Sequence, residues 1–229
     1  MDLTSLMSIV VVMSGAWTSQ CCRDACKSEC PTAHLTPQEK QQGFVLLFNG
    51  KNLDGWVGSV NGYAVEDGKL VCKKHGGGNL YTEKEFADFI FRFEYKLPPG
   101  GNNGVAVRAP LQGNPAYKAM EIQLLDDDHP RYKNLKPVQY NGSIYGAVPA
   151  KRGHLRPAGE WNSMEIMAKG THIRVTLNGV VIVDADTSKI GPKEIHGHKL
   201  EGLQRTKGHL GFLGHGARVE FRNIRIKEL

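Results

Sequence analysis

The sequence predicts an all-β protein folded as a two-sheet antiparallel β-sandwich, or jelly roll. Three observations predict this class: about a dozen short apolar segments, turn signals at short intervals between them, and no convincing amphipathic helix. The 229 residues are 40% hydrophobic and 23% charged, which excludes a disordered chain and allows a packed core. Sandwiches of about 200–250 residues commonly form one domain, so the length fits a single unit after a short N-terminal segment.

The N-terminal segment precedes the predicted domain and has its own pattern. Residues 3–17 hold the longest apolar run, centred on residues 9–13 and followed by Ser14-Gly15-Ala16. This pattern predicts a signal peptide over residues 1–18, too short for the roughly 20 residues of a membrane span. A buried first strand is the alternative. We therefore expect a secreted or periplasmic protein without a transmembrane span in its mature form.

Four cysteines follow the predicted signal peptide, at positions 21, 22, 26 and 30. In an exported protein such a group is most simply paired as disulfides, and a lipid anchor to the membrane or a metal site are the alternatives. We assign residues 19–42 to a cysteine-bearing linker and residues 43–229 to the β-sandwich domain. Cys72 lies in a strand pattern and is expected to be a small core residue.

Strands and hairpins are predicted along the rest of the chain. Asp67-Gly68 and Asn178-Gly179 each stand between two short apolar segments, which is the signal of a two-residue hairpin. The clearest alternation places Phe89, Phe91, Phe93 and Tyr95 on one face of a half-buried strand. Further strand candidates are residues 44–48, 105–109, 117–125, 143–147, 161–168, 209–213 and 218–226.

Basic residues are concentrated in the second half of the chain, a feature that nucleic-acid-binding proteins can show. There are 12 basic and 15 acidic residues up to position 130, and 17 basic and 8 acidic residues after it. The basic residues of the second half are scattered singly among apolar and glycine positions, which is typical of a solvated surface. We therefore expect no nucleic-acid partner.

Polar side chains are expected to meet on one face of a sheet. The apolar even positions from 120 to 124 predict a core side, so Glu121 and Gln123 point to the opposite, open face. The same alternation places Arg108 on that face beside the small residues Gly104 and Ala106. This arrangement predicts a polar groove, and a surface ion pair is the alternative.

Two loops add candidate ligands. Residues 126–129 read Asp-Asp-Asp-His, a pattern that suits a divalent or mixed metal site but is also common in acidic turns without metal. His215 stands between Gly214 and Gly216, where the backbone can approach a ligand closely, and imidazole titrates near neutral pH. We single out His215 as a candidate catalytic group.

Seven segments together resemble the 3-keto-disaccharide hydrolase domain family, which is related to concanavalin A-like lectins and glucanases. The resemblance covers residues 43–229 and rests on residues 48–56, 101–108, 120–126, 142–146, 159–162, 177–179 and 219–226. Members often read Leu-Gln-Asp-His-Gly before the last strand, whereas this chain has Phe212-Leu213-Gly214-His215-Gly216. The histidine and the following glycine are retained, and the glutamine and aspartate are not.

The resemblance implies a hydrolase that cleaves glycosides oxidised to a ketone at C3. The ketone acidifies the C2 proton, so the glycosidic bond can break by elimination, followed by addition of water. Glu121 or His215 is the implied base, and Arg108, or a divalent metal ion held partly by Glu121, would stabilise the enolate. Tyr145 and Lys151 are expected to contact the leaving group, and Gln123 and Asp126 the sugar hydroxyls.

The resemblance also implies a partner enzyme, because an oxidoreductase must supply the ketone of the carbohydrate substrate. Two other classes of function remain open at this point. One is a non-catalytic, secreted carbohydrate-binding module with the same groove, since sandwich folds host binding modules as well as enzymes. The other is a structural domain tethered to the cell surface through residues 21–30.

Overall fold

The computed structural model describes residues 33–229, and almost all of this part of the chain is strand and turn. The strands are β1 (Val45–Leu46), β2 (Trp56–Gly58), β3 (Tyr63–Glu66), β4 (Lys69–Cys72), β5 (Gly77–Phe86), β6 (Phe89–Lys96), β7 (Asn102–Ala109), β8 (Met120–Leu125), β9 (Trp161–Lys169), β10 (His172–Leu177), β11 (Val180–Asp186), β12 (Glu194–Ile195), β13 (His198–Lys199), β14 (Gly208–His215) and β15 (Val219–Glu228). Two short α-helices, α1 (Pro37–Gln41) and α2 (Pro115–Lys118), flank them.

The strands form two antiparallel sheets and one small hairpin. The larger sheet has the order β11-β10-β9-β6-β15-β4-β3, with β1 also paired to β15. The smaller sheet has the order β2-β5-β14-β7-β8, and β12 pairs only with β13. Neighbours such as β14 and β7 lie far apart in the chain, as in a jelly roll. The predicted two-sheet antiparallel sandwich is confirmed.

The core lies between the two sheets and is rich in aromatic rings. Phe89, Phe91, Phe93 and Tyr95 of β6 are all buried, which confirms the predicted alternation. Phe212 of β14 lies across from them, with its ring centroid 5.6 Å from that of Phe93 in an edge-on arrangement. Burying side chains of this size contributes about 1.5–3 kcal/mol each, so this cluster is a main source of stability.

Both predicted hairpin turns are present. Asp67 and Gly68 have φ of 48° and 73°, and Asn178 and Gly179 have φ of 49° and 86°. Two successive positive φ values match the right-handed twist of the flanking strands, and Asn, Asp and Gly tolerate them best. Cys72 is fully buried and its thiol is free, as expected of a small core residue.

Several strand predictions differ from the structure, and β2, β5, β12 and β13 have no counterpart among them. β5 was not expected, because its glycines and its run of charged residues (positions 83–85) hide the alternation of the strand. Residues 115–118 form α2 instead of opening a strand, since Asn114 caps the helix and Pro115 occupies its first turn. Residues 143–147 make isolated bridges only, through Ile144.

The N-terminal boundary of the folded domain lies ahead of residue 43. In α1, Glu39 is buried and its Oε1 accepts a 2.6 Å hydrogen bond from Nε of Arg225 on β15. Burial alone would raise the pKa of Glu39, but the hydrogen bonds from Arg225 and Thr36, together with the Arg225 charge, outweigh it and the pKa is lowered. Residues 36–42 therefore pack with the domain, although the sequence placed them in the linker.

The predicted signal peptide and the cysteines at 21, 22, 26 and 30 lie outside the described residues. Between residues 33 and 229, no helix has the length and apolar character needed to cross a membrane.

Candidate active site

The face of the smaller sheet that points away from the core carries a row of side chains from all five strands. Strand register places Val57 beside Tyr81, Tyr81 beside Gly211, Gly211 beside Ala106, and Ala106 beside Glu121. The middle of this row is glycine and alanine. The sheet surface is therefore low between the phenol of Tyr81 and the carboxylate of Glu121, and this floor is buried, with Ala106 at 0% and Tyr81 at 3% exposure.

A second row of side chains runs beside the first, and it is less polar than the groove that the sequence predicts. Leu213 pairs with Gly104, and Gly104 with Gln123. Leu213 joins Tyr81 and Ala106 in a small apolar cluster separate from the main core. Leu213 stands where family members often carry glutamine, so the floor offers an apolar surface that suits the C–H face of a sugar ring.

Glu121 is the most unusual side chain on this face. It is only 4% exposed, and its Oε1 has no hydrogen-bond partner. The carboxylate lies over Gly104, where an added Cβ would be 2.1 Å from Oε1. A buried polar atom without a partner costs about 1–3 kcal/mol, and more when it is charged. A ligand that brings a proton or a donor to this oxygen would remove that cost.

His215 approaches the same oxygen from the mouth of the site. Its Nε2 lies 4.0 Å from Oε1 of Glu121, and about half of its side chain is exposed. The end of β14 can pack here because its neighbours are small: a Cβ on Gly214 would be 2.6 Å from the Cα of Gly77 and 2.7 Å from Sγ of Cys72. This chain therefore has no room for the aspartate that family members often carry before the histidine.

Two tyrosines border the Glu121 carboxylate. Burial, and then the negative charge of Glu121, raises the pKa of Tyr81 to about 12. Burial is also the main reason why the pKa of Tyr145 is raised; a hydrogen bond from Gln139 opposes it, and the Glu121 charge adds to it. Both phenols therefore keep their protons at neutral pH and can donate hydrogen bonds to a substrate oxygen.

Tyr145 is held by neighbours on two sides. Its backbone N–H donates to the carbonyl oxygen of Glu121 at 2.9 Å, which places the two residues side by side. Nε2 of Gln139 donates to the phenol oxygen at 3.1 Å, and Nε2 of His196 lies 3.2 Å from the same oxygen. Gln123 completes this part of the face, and its Nε2 donates to Oδ1 of Asn102 at 2.7 Å.

The expectation that Arg108 shares this face is wrong. Its side chain is buried at 1% exposure, and its guanidinium donates to the carbonyl oxygens of Ala87, Gly170 and Arg205 and to Asp88. Strand β7 has one extra residue opposite β14 here, and Arg108 has a φ of 55°. This bulge breaks the alternation and directs Arg108 into a cage of carbonyl oxygens.

Asp126 and Lys151 also lie apart from the Glu121 carboxylate. Oδ2 of Asp126 accepts a 2.7 Å hydrogen bond from the backbone N–H of Gly100, so this carboxylate holds a turn at the end of β8. Lys151 is exposed, and its backbone N–H donates to the carbonyl oxygen of Ile182 in the larger sheet. Of the seven site residues expected from the sequence, the structure therefore brings together Glu121, His215, Gln123 and Tyr145.

Residues 126–129 do not form the metal site that was one of their two interpretations. Asp126 bonds to Gly100, whereas Oδ1 of Asp127 accepts from the backbone N–H of Asn141 at 2.8 Å. Within residues 33–229, no three side chains of His, Cys, Asp or Glu lie close enough to hold one metal ion. Glu121 and His215 together supply two of the three protein ligands that a catalytic metal usually has.

Two site residues, Tyr81 and His196, were not found from the sequence. Tyr81 lies on β5, which the glycine-rich composition concealed. Leu80 and Thr82, on either side of Tyr81, are buried and face the core. Their alternation with Tyr81 was the available signal that Tyr81 faces the other way. His196 lies in the turn of the β12–β13 hairpin at φ 52°, and no local pattern predicts its contact with Tyr145.

Comparison with known proteins finds relatives of the chain. The chain is 29% identical over 228 residues to a 3-keto-disaccharide hydrolase of Bacteroides thetaiotaomicron, with 82% of this chain and 79% of the relative covered. A crystal structure of a candidate glycosyl hydrolase from Parabacteroides distasonis superposes with a TM-score of 0.73 at 30% identity, covering 81% of this chain and 99% of the other. These names indicate a function of the 3-keto-disaccharide hydrolase or glycosyl hydrolase kind.

More distant structures share the fold. The carbohydrate-binding module CBM66 of Bacillus subtilis superposes with a TM-score of 0.50 at 13% identity, over 76% of this chain and 96% of the module. At the level of sequence, residues 43–227 match the profile of the 3-keto-alpha-glucoside-1,2-lyase-like domain, which is most of the chain. The protein is therefore a member of the 3-keto-alpha-glucoside-1,2-lyase-like domain family.

Proposed function

We propose that this protein is an enzyme that cleaves 3-keto-glycosides at the site formed by Glu121, His215, Tyr81 and Tyr145. The observation that carries the proposal is the buried Oε1 of Glu121, which lacks a hydrogen-bond partner and lies 4.0 Å from Nε2 of His215. A buried base beside a second titratable group, above an apolar floor, suits removal of a proton from carbon. The family and the name of its Bacteroides relative support the substrate class.

The reaction proceeds as elimination followed by hydration. The base takes the proton from C2, and the C2–H electron pair forms the enolate of the C3 ketone. The enolate then expels the C1 substituent, whose oxygen takes up a proton, and leaves a C1=C2 double bond conjugated with the ketone. Water adds to C1 and a proton returns to C2, so the net change is hydrolysis without oxidation or reduction.

Each role follows from where a side chain lies. Glu121 is the base, because its free oxygen faces the floor on which the sugar ring would rest. His215 lies between this carboxylate and solvent, and it carries protons to and from Glu121. Tyr81 and Tyr145 keep their protons, so they donate hydrogen bonds to the enolate oxygen and to the departing oxygen. General acid–base catalysis of this kind contributes about 10²–10⁴-fold.

The first test combines a substrate panel with an isosteric variant. Wild type is expected to release reducing sugar from 3-keto-trehalose and 3-keto-sucrose, and none from the unoxidised parents. Glu121→Gln keeps the shape of the side chain but removes the base, so kcat should fall about 10²–10⁴-fold. Glu165→Gln is the matched control, because Glu165 bonds to Arg92 on the other sheet. Equal activity of the two variants would refute the role of Glu121.

The second test separates proton abstraction from ordinary glycosidase chemistry. Elimination breaks the C2–H bond, whereas the oxocarbenium route of common glycosidases does not. Substrate deuterated at C2 should therefore react several-fold more slowly with the wild type. Identical rates for the protonated and deuterated substrates, measured under single-turnover conditions, would contradict elimination.

A non-catalytic carbohydrate-binding module is the other function that this groove could serve. It predicts saturable binding of the sugar by calorimetry with no product in the parallel assay. Turnover that depends on Glu121 excludes it.

Export and a partner oxidoreductase also belong to the proposal. The apolar segment within residues 1–18 supports export, and the need for a C3 ketone implies an oxidoreductase that acts before this enzyme. Mass spectrometry of the mature N-terminus from fractionated cells tests export. An intact N-terminus in the cytoplasmic fraction alone would refute it.

A further inference from the structure

A cleft of about 390 Å³ opens between α2 and the hairpin of β12 and β13. It is lined by Asn114, Tyr117, Lys118, His198, Lys199 and Glu201. This volume lies within the range of about 300–1,000 Å³ that small-molecule sites usually have. None of these lining residues has a role in the mechanism above.

The hairpin connects this cleft to the active site. His196 in its turn lies 3.2 Å from the phenol oxygen of Tyr145, which borders Glu121. Two residues later, the ring of His198 stacks on that of Tyr117, with the centroids 4.3 Å apart and the planes at 22°. One short hairpin thus contacts both the residue that would face the departing oxygen and the aromatic wall of the cleft.

The lining suits the hydroxyl groups and ring faces of a neutral sugar. Tyr117 and His198 provide aromatic surface, and Lys118 and Glu201 form a 2.7 Å ion pair that presents donors and acceptors side by side. Oδ1 of Asn114 accepts from the backbone N–H of Ala116 as the helix cap, so its amide NH₂ is left to donate. The ion pair compensates the charge of Lys118, and Lys199 adds an ammonium group that can donate to a sugar hydroxyl.

We propose that this cleft binds the leaving-group sugar of a 3-keto-disaccharide while the keto sugar occupies the Glu121 site. The inference rests on the proposed function and adds to it the place where the leaving hexose binds. Lys118 and Glu201 would then contact hydroxyls of the leaving sugar, and His198 would contact its ring. The hairpin is therefore a specificity element that contacts Tyr145 through His196 and would contact the leaving sugar through His198.

The test compares two substrates that differ only in the leaving group, 3-keto-trehalose and methyl 3-keto-glucoside. In His198→Ala, kcat/KM for the disaccharide should fall tenfold or more, whereas the value for the methyl glycoside should change less than twofold. Lys118→Ala changes the α2 side of the cleft and leaves the hairpin intact. It should also lower kcat/KM for the disaccharide more than for the methyl glycoside. His172→Ala on the larger sheet is the matched control and should change neither value.

Direct binding keeps this inference separate from the proposed function. Calorimetric titration with glucose, the leaving group of 3-keto-trehalose, should show millimolar binding to wild type that His198→Ala weakens at least fivefold. Equal losses for both substrates, or unchanged glucose binding in His198→Ala, would overturn the inference while the proposed function stands. If no 3-keto-glycoside is converted, the proposed function fails and the titration alone decides: weakened binding supports the cleft, and no binding to wild type overturns it.

Discussion

Replacing Gly104 by alanine is expected to impair catalysis with little effect on folding. An added Cβ would lie 2.1 Å from Oε1, 2.8 Å from Cδ and 2.9 Å from Cγ of Glu121, and these are its three nearest neighbours. Normal contact requires more than 3 Å, so the carboxylate must move by about 1 Å or more. A misplacement of about 1 Å can cost roughly 100-fold in rate, which corresponds to about 2.7 kcal/mol in the barrier.

The fold should tolerate the same change. Gly104 is in a regular strand without a positive φ, and the three atoms nearest to the new methyl group all belong to the Glu121 side chain. Alanine also reduces the entropy of the unfolded chain, worth about 0.4–1 kcal/mol in favour of folding. We therefore expect the melting temperature of Gly104→Ala to stay within a few degrees of wild type.

The assay measures kcat on 3-keto-trehalose together with thermal unfolding. Gly191→Ala is the matched control, because no atom lies within 4 Å of its added Cβ and its φ is not positive. In the Glu121→Gln background, Gly104→Ala should cause little further loss, since it acts through the carboxylate. Full activity of Gly104→Ala, or an equal further loss in the Glu121→Gln background, would refute the role assigned to this carboxylate.

Three further predictions concern stability. Arg108→Met should destabilise the fold by about 3–5 kcal/mol in denaturant unfolding, because it leaves buried carbonyl oxygens unpaired. Unchanged stability with lost activity would instead support the catalytic role that the sequence suggested for Arg108. Burial raises the pKa of Asp127 from 3.8 to about 6, so wild-type stability should fall by up to about 3 kcal/mol between pH 4 and 6, and Asp127→Asn should abolish that fall. Glu39→Gln should lower stability above pH 5, with a loss that shrinks as the pH falls below 4.5, because the native pKa of Glu39 is lowered; a pH-independent loss would contradict the ion pair with Arg225.

The pH dependence of stability that Asp127 causes depends on how many protons the native and unfolded states bind. Between the unfolded pKa near 4 and the native value near 6, the native state binds more protons than the unfolded state. Stability therefore decreases as pH rises through this range and is level above it. The 9% exposure of its side chain means that solvent screens this charge little. Nε of Arg152 lies 3.7 Å from Oδ2 of Asp127, and its charge offsets only part of the rise in pKa that burial causes.

Features that depend on neighbouring residues were predictable from the sequence. The aromatic face of β6 follows from the period of two, and the turns at Asp67 and Asn178 follow from the backbone freedom of those residue types. The same alternation correctly placed Glu121 and Gln123 on the face opposite the core. These predictions succeed because adjacent peptide units determine which way a side chain points along a regular strand.

Arg108 shows where this reasoning fails. One extra residue in β7 reverses the direction of the side chains that follow, and the bulge exists only because β14 pairs with β7 at that register. The sequence of β7 alone holds no sign of it. An arginine that alternation placed beside Glu121 is therefore directed instead toward the carbonyl oxygens of Ala87 and Gly170.

The sequence by itself determined the class of fold, the hairpin turns at Asp67 and Asn178, and the facing of Glu121 and Gln123 away from the core. Only the tertiary structure decided that Glu121, His215, Tyr81 and Tyr145 meet, and that His198 closes a cleft beside them. Each strand determines by itself which way its side chains point. Which side chains come together depends on the register between strands that are distant in the chain.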